Sequence, residues 1–379
     1  MPYWHIMLVE KCDYFQRMDT VSNRLLFVSM SDTAGGAENI LRMVAEVTNS
    51  PLIFLKHVFD SRLFIPKKQE VKHLTQGTLL IGFLKLVKEL YPYRKDYTII
   101  STHPYLNSYL GLLKRVGYLK SNLIVRECTS VFTRYTGLKK LSYQIAYKLG
   151  YPAVNLIVCQ TGIMRNQLLA QNKFIPDDKA VIIENPIDLN HILRNAEAPI
   201  DESLRDSEFI CSAGRLIPEK GFSILIRAFE KIARQHENLK LLILGEGKER
   251  KNLHTLIKDT ALQERVVLMG HVDNPIPYYK KAKLCVVSSI KEGFPNVLLE
   301  MMAVNDSVVS TLCAGGIERI PSIFKVEPNN INSLTSAIGF AIAAYPNQKD
   351  NGKQDYLKDR SPEQFINSIL EEVHRVNSL

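Results

Sequence analysis

Lys291-Glu292-Gly293-Phe294-Pro295-Asn296-Val297-Leu298-Leu299-Glu300 is the stretch on which the fold turns. It follows Leu284-Cys285-Val286-Val287-Ser288-Ser289, an apolar run that predicts a strand buried in a parallel sheet. It leads into an apolar segment, 297–304, that predicts a helix. Strand, Gly-Phe-Pro-Asn loop and helix together make one unit of an α/β sheet. A glycine loop opening a helix offers N–H groups with no intrahelical partner and the positive end of the helix dipole, which suits a phosphate. Glu292 and Glu300, with seven residues between them, are acceptors suited to the hydroxyls of a ribose or a sugar ring. The stretch describes a pocket for a nucleotide-linked sugar.

Three further loops extend the pattern. Gly214-Arg215-Leu216-Ile217-Pro218-Glu219-Lys220-Gly221 follows another strand-like run and enters a helix. Its glycines let backbone approach a ligand. Arg215 and Lys220 can neutralise a diphosphate, the first as a fork and the second as a point charge. A surface loop with two solvated cations is the bland alternative, and the position at a strand's C-terminal end weighs against it. Gly245-Glu246-Gly247 follows the next strand and by itself is an ordinary turn. In Gly270-His271-Val272-Asp273-Asn274 the backbone at Val272 can read a base edge, with a plain loop as the equal alternative.

Outward from these loops, strands alternate with helices along the chain, the signature of parallel α/β sheets. Strands are expected at 25–30, 52–56, 97–101, 122–126, 156–159 and 180–183, then at 208–212, 240–244, 266–268, 284–287 and 307–310. Helices are expected at 37–48, 79–90, 106–116, 138–149, 163–171, 222–235 and 249–260. The 379 residues suffice for two domains, each with its own core. The Pro- and Asp-bearing stretch 184–202 reads as the linker, giving domains 1–190 and 191–360. A last amphipathic helix within 361–379 carries Phe365, Ile366, Ile369, Leu370 and Val373 on one face.

Bulk properties narrow the class. No apolar run reaches the length that crosses a bilayer, and residues 1–24 carry no signal-peptide core. Cys12, Cys128, Cys159, Cys211, Cys285 and Cys313 are scattered without a CxxC pair, so reduced thiols are expected rather than disulfides or a thiolate zinc site. The reading is a cytoplasmic protein. Its net charge of +9 resides entirely in residues 1–190, where 24 Lys and Arg face 15 Asp and Glu. That half expects an anionic partner. Segment 132–151, with Arg134, Tyr135, Lys139, Lys140, Tyr143, Tyr147 and Lys148, reads as a basic helix able to lie on an anionic bilayer, against the alternative of a solvated face. Lys67-Lys68 and Lys114-Arg115 add to it. No nucleic-acid motif accompanies the charge, so nucleic acid is not an expected partner.

The ordered set of motifs resembles the family 4 glycosyltransferases. It comprises Gly35-Gly36-Ala37-Glu38 after the first strand, Asn185-Pro186-Ile187-Asp188, Gly214-Arg215-Leu216 with Lys220-Gly221, Gly245-Glu246-Gly247, and the run from Ser289 to Glu300. The resemblance spans nearly the whole chain. It implies the GT-B fold: two Rossmann-like domains facing across a cleft, with the C-terminal helix crossing back to the first domain. It implies retaining, metal-independent transfer from a nucleoside-diphosphate sugar, with no cofactor. Under it Glu292 contacts hydroxyls of the transferred sugar and Glu300 holds the ribose. Arg215 and Lys220 bind the diphosphate and stabilise the leaving group. Backbone at Gly214, Gly245, Gly293, Phe294, Pro295, Asn296, Val297 and Leu298 supports the donor, and Gly35 and Gly36 approach the phosphates. A histidine at the strand end occupied by His103 would lie near the sugar. Asn296 and Glu300, four residues apart, share one helix face. Arg126-Glu127 ends the next strand, where Glu127 faces either the acceptor or a salt bridge.

No DxD cluster stands at a strand end, so cationic side chains are expected to do the neutralising instead of Mg²⁺. UDP is the expected nucleotide. By analogy with similar enzymes, the acceptor would be a polyprenyl-diphosphate-linked saccharide of a surface polysaccharide such as O-antigen or capsule, met at the inner face of the cytoplasmic membrane. A UDP-sugar epimerase and a non-catalytic nucleotide-sugar-binding protein are the rival readings.

Overall fold

The computed structural model describes residues 24–33, 35–59, 63, 65–66, 68–129, 131–344 and 352–378. Cys12 and Lys67 lie outside them. The described chain divides into two compact units. The first comprises 1–160, 164–184 and 362–379, and the second 161–163 and 185–361.

The first unit carries β1 (Leu25–Ser31), α1 (Gly36–Val47), β2 (Leu52–Lys56), β3 (Val71–Thr75), α2 (Leu79–Glu89), β4 (Thr98–Thr102), α3 (Pro104–Arg115), β5 (Asn122–Glu127), α4 (Val131–Arg134), α5 (Gly137–Gly150), β6 (Leu156–Cys159), α6 (Gly162–Gln171) and β7 (Ala180–Ile182). Its seven strands run in the order β3-β2-β1-β4-β5-β6-β7, and every pairing is parallel. The second unit carries α7 (Leu189–Asn195), β8 (Phe209–Ala213), α8 (Phe222–Ala233), β9 (Lys240–Leu244), α9 (Arg250–Asp259), β10 (Val266–Gly270), α10 (Ile276–Lys281), β11 (Leu284–Val287), α11 (Asn296–Val304), β12 (Val308–Thr311), β13 (Phe324–Val326), α12 (Ile331–Ala344) and α13 (Lys353–Lys358). Its six strands run β10-β9-β8-β11-β12-β13, again all parallel. The chain then returns to the first unit as α14 (Pro362–Asn377).

Each sheet separates two apolar layers, which is why its central strands are apolar at successive positions rather than alternately. In the second unit, Ile210, Ile243 and Val286 face the layer of α8 and α12, and Cys211, Leu242 and Val287 face the layer of α10 and α11. In the first unit, α14 supplies Phe365, Ile366, Ile369, Leu370 and Val373 to the layer containing Leu25, Phe27, Ile40 and Leu41. Helices α3 and α5 of the opposite layer come unusually close, because a side chain on Gly111 would overlap the backbone of Gly150.

Three expectations need correction. Strands β3 and β13 do not figure among the expected ones. Both are edge strands: β3 buries only Leu74, and β13 is three residues long, so neither gives an apolar run. The stretch 184–202 is not a free linker. The passage between units falls at Glu184/Asn185, and Ile187, Ile192 and Ala196 bury against the second unit's core. In 132–151 the tyrosines are not a surface feature: Tyr143 and Tyr147 are buried in the first unit. The exposed apolar residues of α5 are Leu138, Leu141, Ile145 and Leu149. The described cysteines are free, and four of the five are buried.

Candidate functional site

The predicted residues of the second half gather where the loops after β8, β9, β10 and β11 leave the C-terminal edge of the sheet. Open α/β sheets bind ligands at that edge. The loops are tied to one another by backbone. Gly214 donates its N–H to Leu244 O at 2.9 Å, Leu216 to Glu246 O at 2.8 Å, and Gly245 to Gly270 O at 2.6 Å. Gly245, at φ 141°, lies so close to the β8 loop that a side chain there would overlap the Gly214 carbonyl oxygen. Gly221, at φ 64°, brings the start of α8 equally close to the Ser288 carbonyl. Glycine at these two positions is a condition for the loops to converge.

The Ser289–Glu300 segment is anchored on both sides. Ile290 N donates to Glu219 O at 2.7 Å and Glu292 N to Cys313 O at 2.8 Å. The Ser288 hydroxyl donates to Lys220 O at 2.9 Å, and Thr311 Oγ1 donates to Ser289 O at 2.6 Å. Glu292 and Lys220 are thereby brought face to face. Lys220 Nζ lies 2.8 Å from both carboxylate oxygens of Glu292, with the two side chains 16% and 14% exposed. Ser289 Oγ donates to Glu292 Oε1 at 2.5 Å. The sequence reading assigned these two charges to different parts of a ligand. In the structure they form one ion pair that the ligand would share. Arg215 is exposed, and its guanidinium makes no hydrogen bond or ion pair among the described residues.

Helix α11 opens at Asn296 with no side chain capping it. The N–H groups of Gly293, Phe294 and Val297 have no hydrogen-bond partner among the described residues. Two members of the expected amide set do not contribute. Pro295 has no N–H, and Leu298 spends its own on Pro295 O at 2.9 Å. The Asn296 side chain is turned to Asn185, whose Nδ2 donates to Asn296 Oδ1 at 2.6 Å. Glu300 follows one turn later, half-buried, and burial pushes its pKa up to about 7. Its carboxylate has no hydrogen-bond or ion-pair partner among the described residues. Its oxygens still reach solvent, so they are open to hydroxyl donors of a ligand. Val272, between β10 and α10, packs half-buried against the core. The edge therefore combines free amides, a free guanidinium, a fork-held lysine and two carboxylates suited to hydroxyls.

In the first unit, Gly35 and Gly36 begin α1, with Gly35 at the N-cap and no side chain capping that helix either. His103 sits at the end of β4 as the N-cap of α3, with φ 91°. For a histidine that backbone is strained, and strain of this kind concentrates at functional sites. Its Nδ1 is buried without a hydrogen-bond partner. Burial holds its pKa below the ordinary histidine value, so the ring is neutral at pH 7. Glu127 fits neither of its two readings. It is 2% exposed and accepts hydrogen bonds from Tyr147, at 2.6 Å, and Tyr151, and burial pushes its pKa up to about 7. It is an internal polar group of the β5–α5 packing, facing no acceptor. Ser289 and Asn185, which orient Glu292 and Asn296, are not among the predicted site residues. Both lie inside the quoted motifs, but only the fold shows which side chains they touch.

Residues 195–357 match the model of the family described as glycosyl transferases group 1. An uncharacterized glycosyltransferase of Methanocaldococcus jannaschii is 32% identical over 319 residues, 79% of this chain and 78% of that protein. A Campylobacter jejuni N-acetylgalactosamine-N,N'-diacetylbacillosaminyl-diphospho-undecaprenol 4-alpha-N-acetylgalactosaminyltransferase is 36% identical over 240 residues. That match covers 61% of this chain and 64% of the relative. Among solved structures, Anabaena HepE in complex with UDP-glucose superposes with a TM-score of 0.77 at 17% identity, covering 94% of this chain and 99% of that one. The likeness in architecture establishes the GT-B fold for the two parallel-sheet units. The chain belongs to the glycosyl transferases group 1 family.

Proposed function

We propose that the protein transfers a sugar, with retention of anomeric configuration and without a metal ion, from a UDP-sugar to a hydroxyl of a lipid-linked saccharide. The observation that carries this reading is the convergence at one sheet edge of Arg215, Lys220, the free amides opening α11, and the Glu292 and Glu300 carboxylates. Phosphate oxygens match the amides and cations, and sugar and ribose hydroxyls match the carboxylates. UDP is chosen because HepE was crystallised with UDP-glucose.

Glu300, half-buried and without a protein partner among the described residues, suits the two ribose hydroxyls. Glu292 suits the transferred sugar. As the glycosidic bond to phosphate breaks, negative charge grows on the diphosphate, where Arg215, Lys220 and the amides are already oriented. Such preorganised charge stabilisation is usually a large catalytic contribution. The Lys220 ammonium group, 2.8 Å from both Glu292 oxygens, would lie between the sugar-binding carboxylate and the diphosphate. Retention is what the resemblance to family 4 implies; with no carboxylate assigned as nucleophile, it would proceed by front-face attack of the acceptor hydroxyl, whose proton passes to an oxygen of the departing diphosphate. Within the first unit, His103 combines a strained backbone with a buried, unpartnered Nδ1, the kind of feature that concentrates at functional sites.

The acceptor reading rests on the Campylobacter relative, whose name specifies a diphospho-undecaprenol substrate, and on the surface of the first unit. Helix α5 exposes Leu138, Leu141, Ile145 and Leu149, beside exposed Lys139 and Lys148. Helices α3 and α5 pack together, and Tyr109 of α3 donates to Phe83 O of α2, so the three helices form one layer. Leu80 and Leu84 of α2 are exposed in the same layer. Apolar side chains among lysines suit the interface of an anionic membrane. No helix among the described residues is long and apolar enough to cross a membrane. The place of action proposed is the cytoplasmic membrane face, in surface-polysaccharide synthesis of the O-antigen or capsule kind.

A panel of nucleotide sugars in a thermal-shift screen tests the donor, since a ligand that binds only the native state raises apparent stability. Stabilisation by UDP-sugars, followed by proton NMR of the product linkage, is the expected outcome. An inverted anomer refutes retention. Turnover that survives removal of divalent ions supports metal independence, and complete loss with chelator refutes it.

A further inference from the structure

Three side chains far apart in sequence converge at one edge of the first unit's sheet. Asp32 follows β1, His57 follows β2, and His73 lies within β3. These strands are adjacent and in register, with Ser31 opposite Lys56 and Lys56 opposite Thr75. Both imidazoles aim a ring nitrogen at the same carboxylate oxygen. His57 Nδ1 lies 2.5 Å and His73 Nε2 3.1 Å from Asp32 Oδ2. The three donor atoms all fall within 4.8 Å of one another.

We infer that Asp32, His57 and His73 form a binding site for a divalent transition-metal ion of the Zn²⁺ class, outside the donor-binding machinery. Two imidazoles and a carboxylate are a donor set for borderline ions such as Zn²⁺, Fe²⁺ or Co²⁺, not for Ca²⁺ or Mg²⁺, which take oxygen ligands. Metal–ligand bonds of about 2.0–2.1 Å fit such a cluster after ångström-scale side-chain adjustment. The surroundings have the features that orient metal ligands. Val58 N–H donates to Asp32 Oδ1 at 2.8 Å and so fixes the carboxylate. The His73 ring stacks on Phe54 at 5.4 Å, with 17° between the planes. The carboxylate is 1% exposed, while the His57 and His73 side chains retain 35% and 29%. Solvent can thus reach the point of convergence from the imidazole side and complete the coordination. An ion here would pin edge strand β3 to β1 and β2. It would also fix the strand end from which the Gly35-Gly36 loop departs. The competing arrangement is a hydrogen-bonded hub, with each imidazole donating one N–H to Asp32.

The experiment uses the full-length, tag-free protein, stripped with chelator and then titrated with Co²⁺ and Zn²⁺. One equivalent of Co²⁺ should bind per chain, with visible d–d bands, no thiolate charge-transfer band, and full displacement by Zn²⁺. His57→Gln and His73→Gln should each weaken Co²⁺ binding at least about tenfold, as outer and inner ligands of such sites commonly do, and Cys128→Ser should leave it unchanged. Should the histidine variants not fold, the Zn²⁺ K-edge spectrum of the wild-type protein decides, with two-imidazole scattering and no sulfur supporting the site. Absence of stoichiometric binding, sulfur scattering, or binding unaltered in both folded histidine variants would overturn the inference in favour of the hydrogen-bonded hub.

Discussion

Replacing Lys220 by alanine and Glu292 by glutamine, singly and together, probes the donor site through an ion pair that separates stability from binding. Lys220 Nζ is 2.8 Å from both oxygens of Glu292, and the side chains keep 16% and 14% exposure. Two unit charges about 4 Å apart attract by about 4 kcal/mol at an effective dielectric near 20, and desolvation and side-chain ordering offset much of that. Exposed pairs measure about 0.2–1 kcal/mol, whereas breaking a fully buried pair costs about 3–5 kcal/mol. This pair falls between those limits. Each single substitution should therefore lower the unfolding free energy by about 1–2 kcal/mol, and the double-mutant cycle should return a coupling of about 1 kcal/mol. Denaturant titration supplies these values.

Binding should divide differently. A hydrogen bond to a charged group contributes about 1.5–3 kcal/mol, so Lys220→Ala should weaken UDP by about 10- to 100-fold in calorimetric titration. Glu292→Gln removes the competitor for the ammonium group, so UDP affinity should hold or rise while turnover falls about 100-fold with the loss of the sugar contact. Wild-type UDP affinity in folded Lys220→Ala would refute the diphosphate role. Strict additivity of the two stability changes would show that the ion pair does not form in the free protein.

Three further outcomes are expected. Glu127 has its folded-state pKa raised by burial from the ordinary 4.5 to about 7; the folded chain therefore holds a proton that the unfolded chain releases, and the group's contribution to stability is full below about pH 4.5 and lost as pH rises through 7. Glu127→Gln should remove that loss, so its stability relative to wild type should rise by about 1–3 kcal/mol between pH 4.5 and 8; a difference that stays flat with pH contradicts the buried-acid reading. Gly245→Ala should destabilise by about 2–3 kcal/mol, because its side chain would overlap the Gly214 carbonyl at φ 141°; an unchanged melting temperature would show that the β8 and β9 loops do not converge this closely. Leu141→Asp with Ile145→Asp, both on the exposed face of α5, should leave the melting temperature within a few degrees and abolish sedimentation with anionic liposomes. Equal sedimentation of that variant removes α5 from the membrane contact.

The sequence by itself determined the α/β class, the order of most strands and the donor loops. Buried parallel strands must be apolar at successive positions, so β8, β9 and β11 announce themselves as runs. Backbone that approaches backbone or ligand favours glycine, so Gly214 and Gly245 mark strand ends and Gly221 and Gly293 mark the loops that lead into the following helices. Edge strands obey neither constraint, which is why β3, with Lys72 and His73 exposed, gave no signal. Tertiary structure alone decided what depends on contacts across the chain. It set the Lys220–Glu292 pairing over 72 positions, since a side chain's partner is chosen by where two loops meet and not by its neighbours in sequence. It turned Tyr143 and Tyr147 inward and left leucines outside on α5, because the face a helix buries is set by the sheet beneath it. It also gathered Asp32, His57 and His73 at one point, since residues 25 and 16 positions apart become neighbours only when parallel strands align in register.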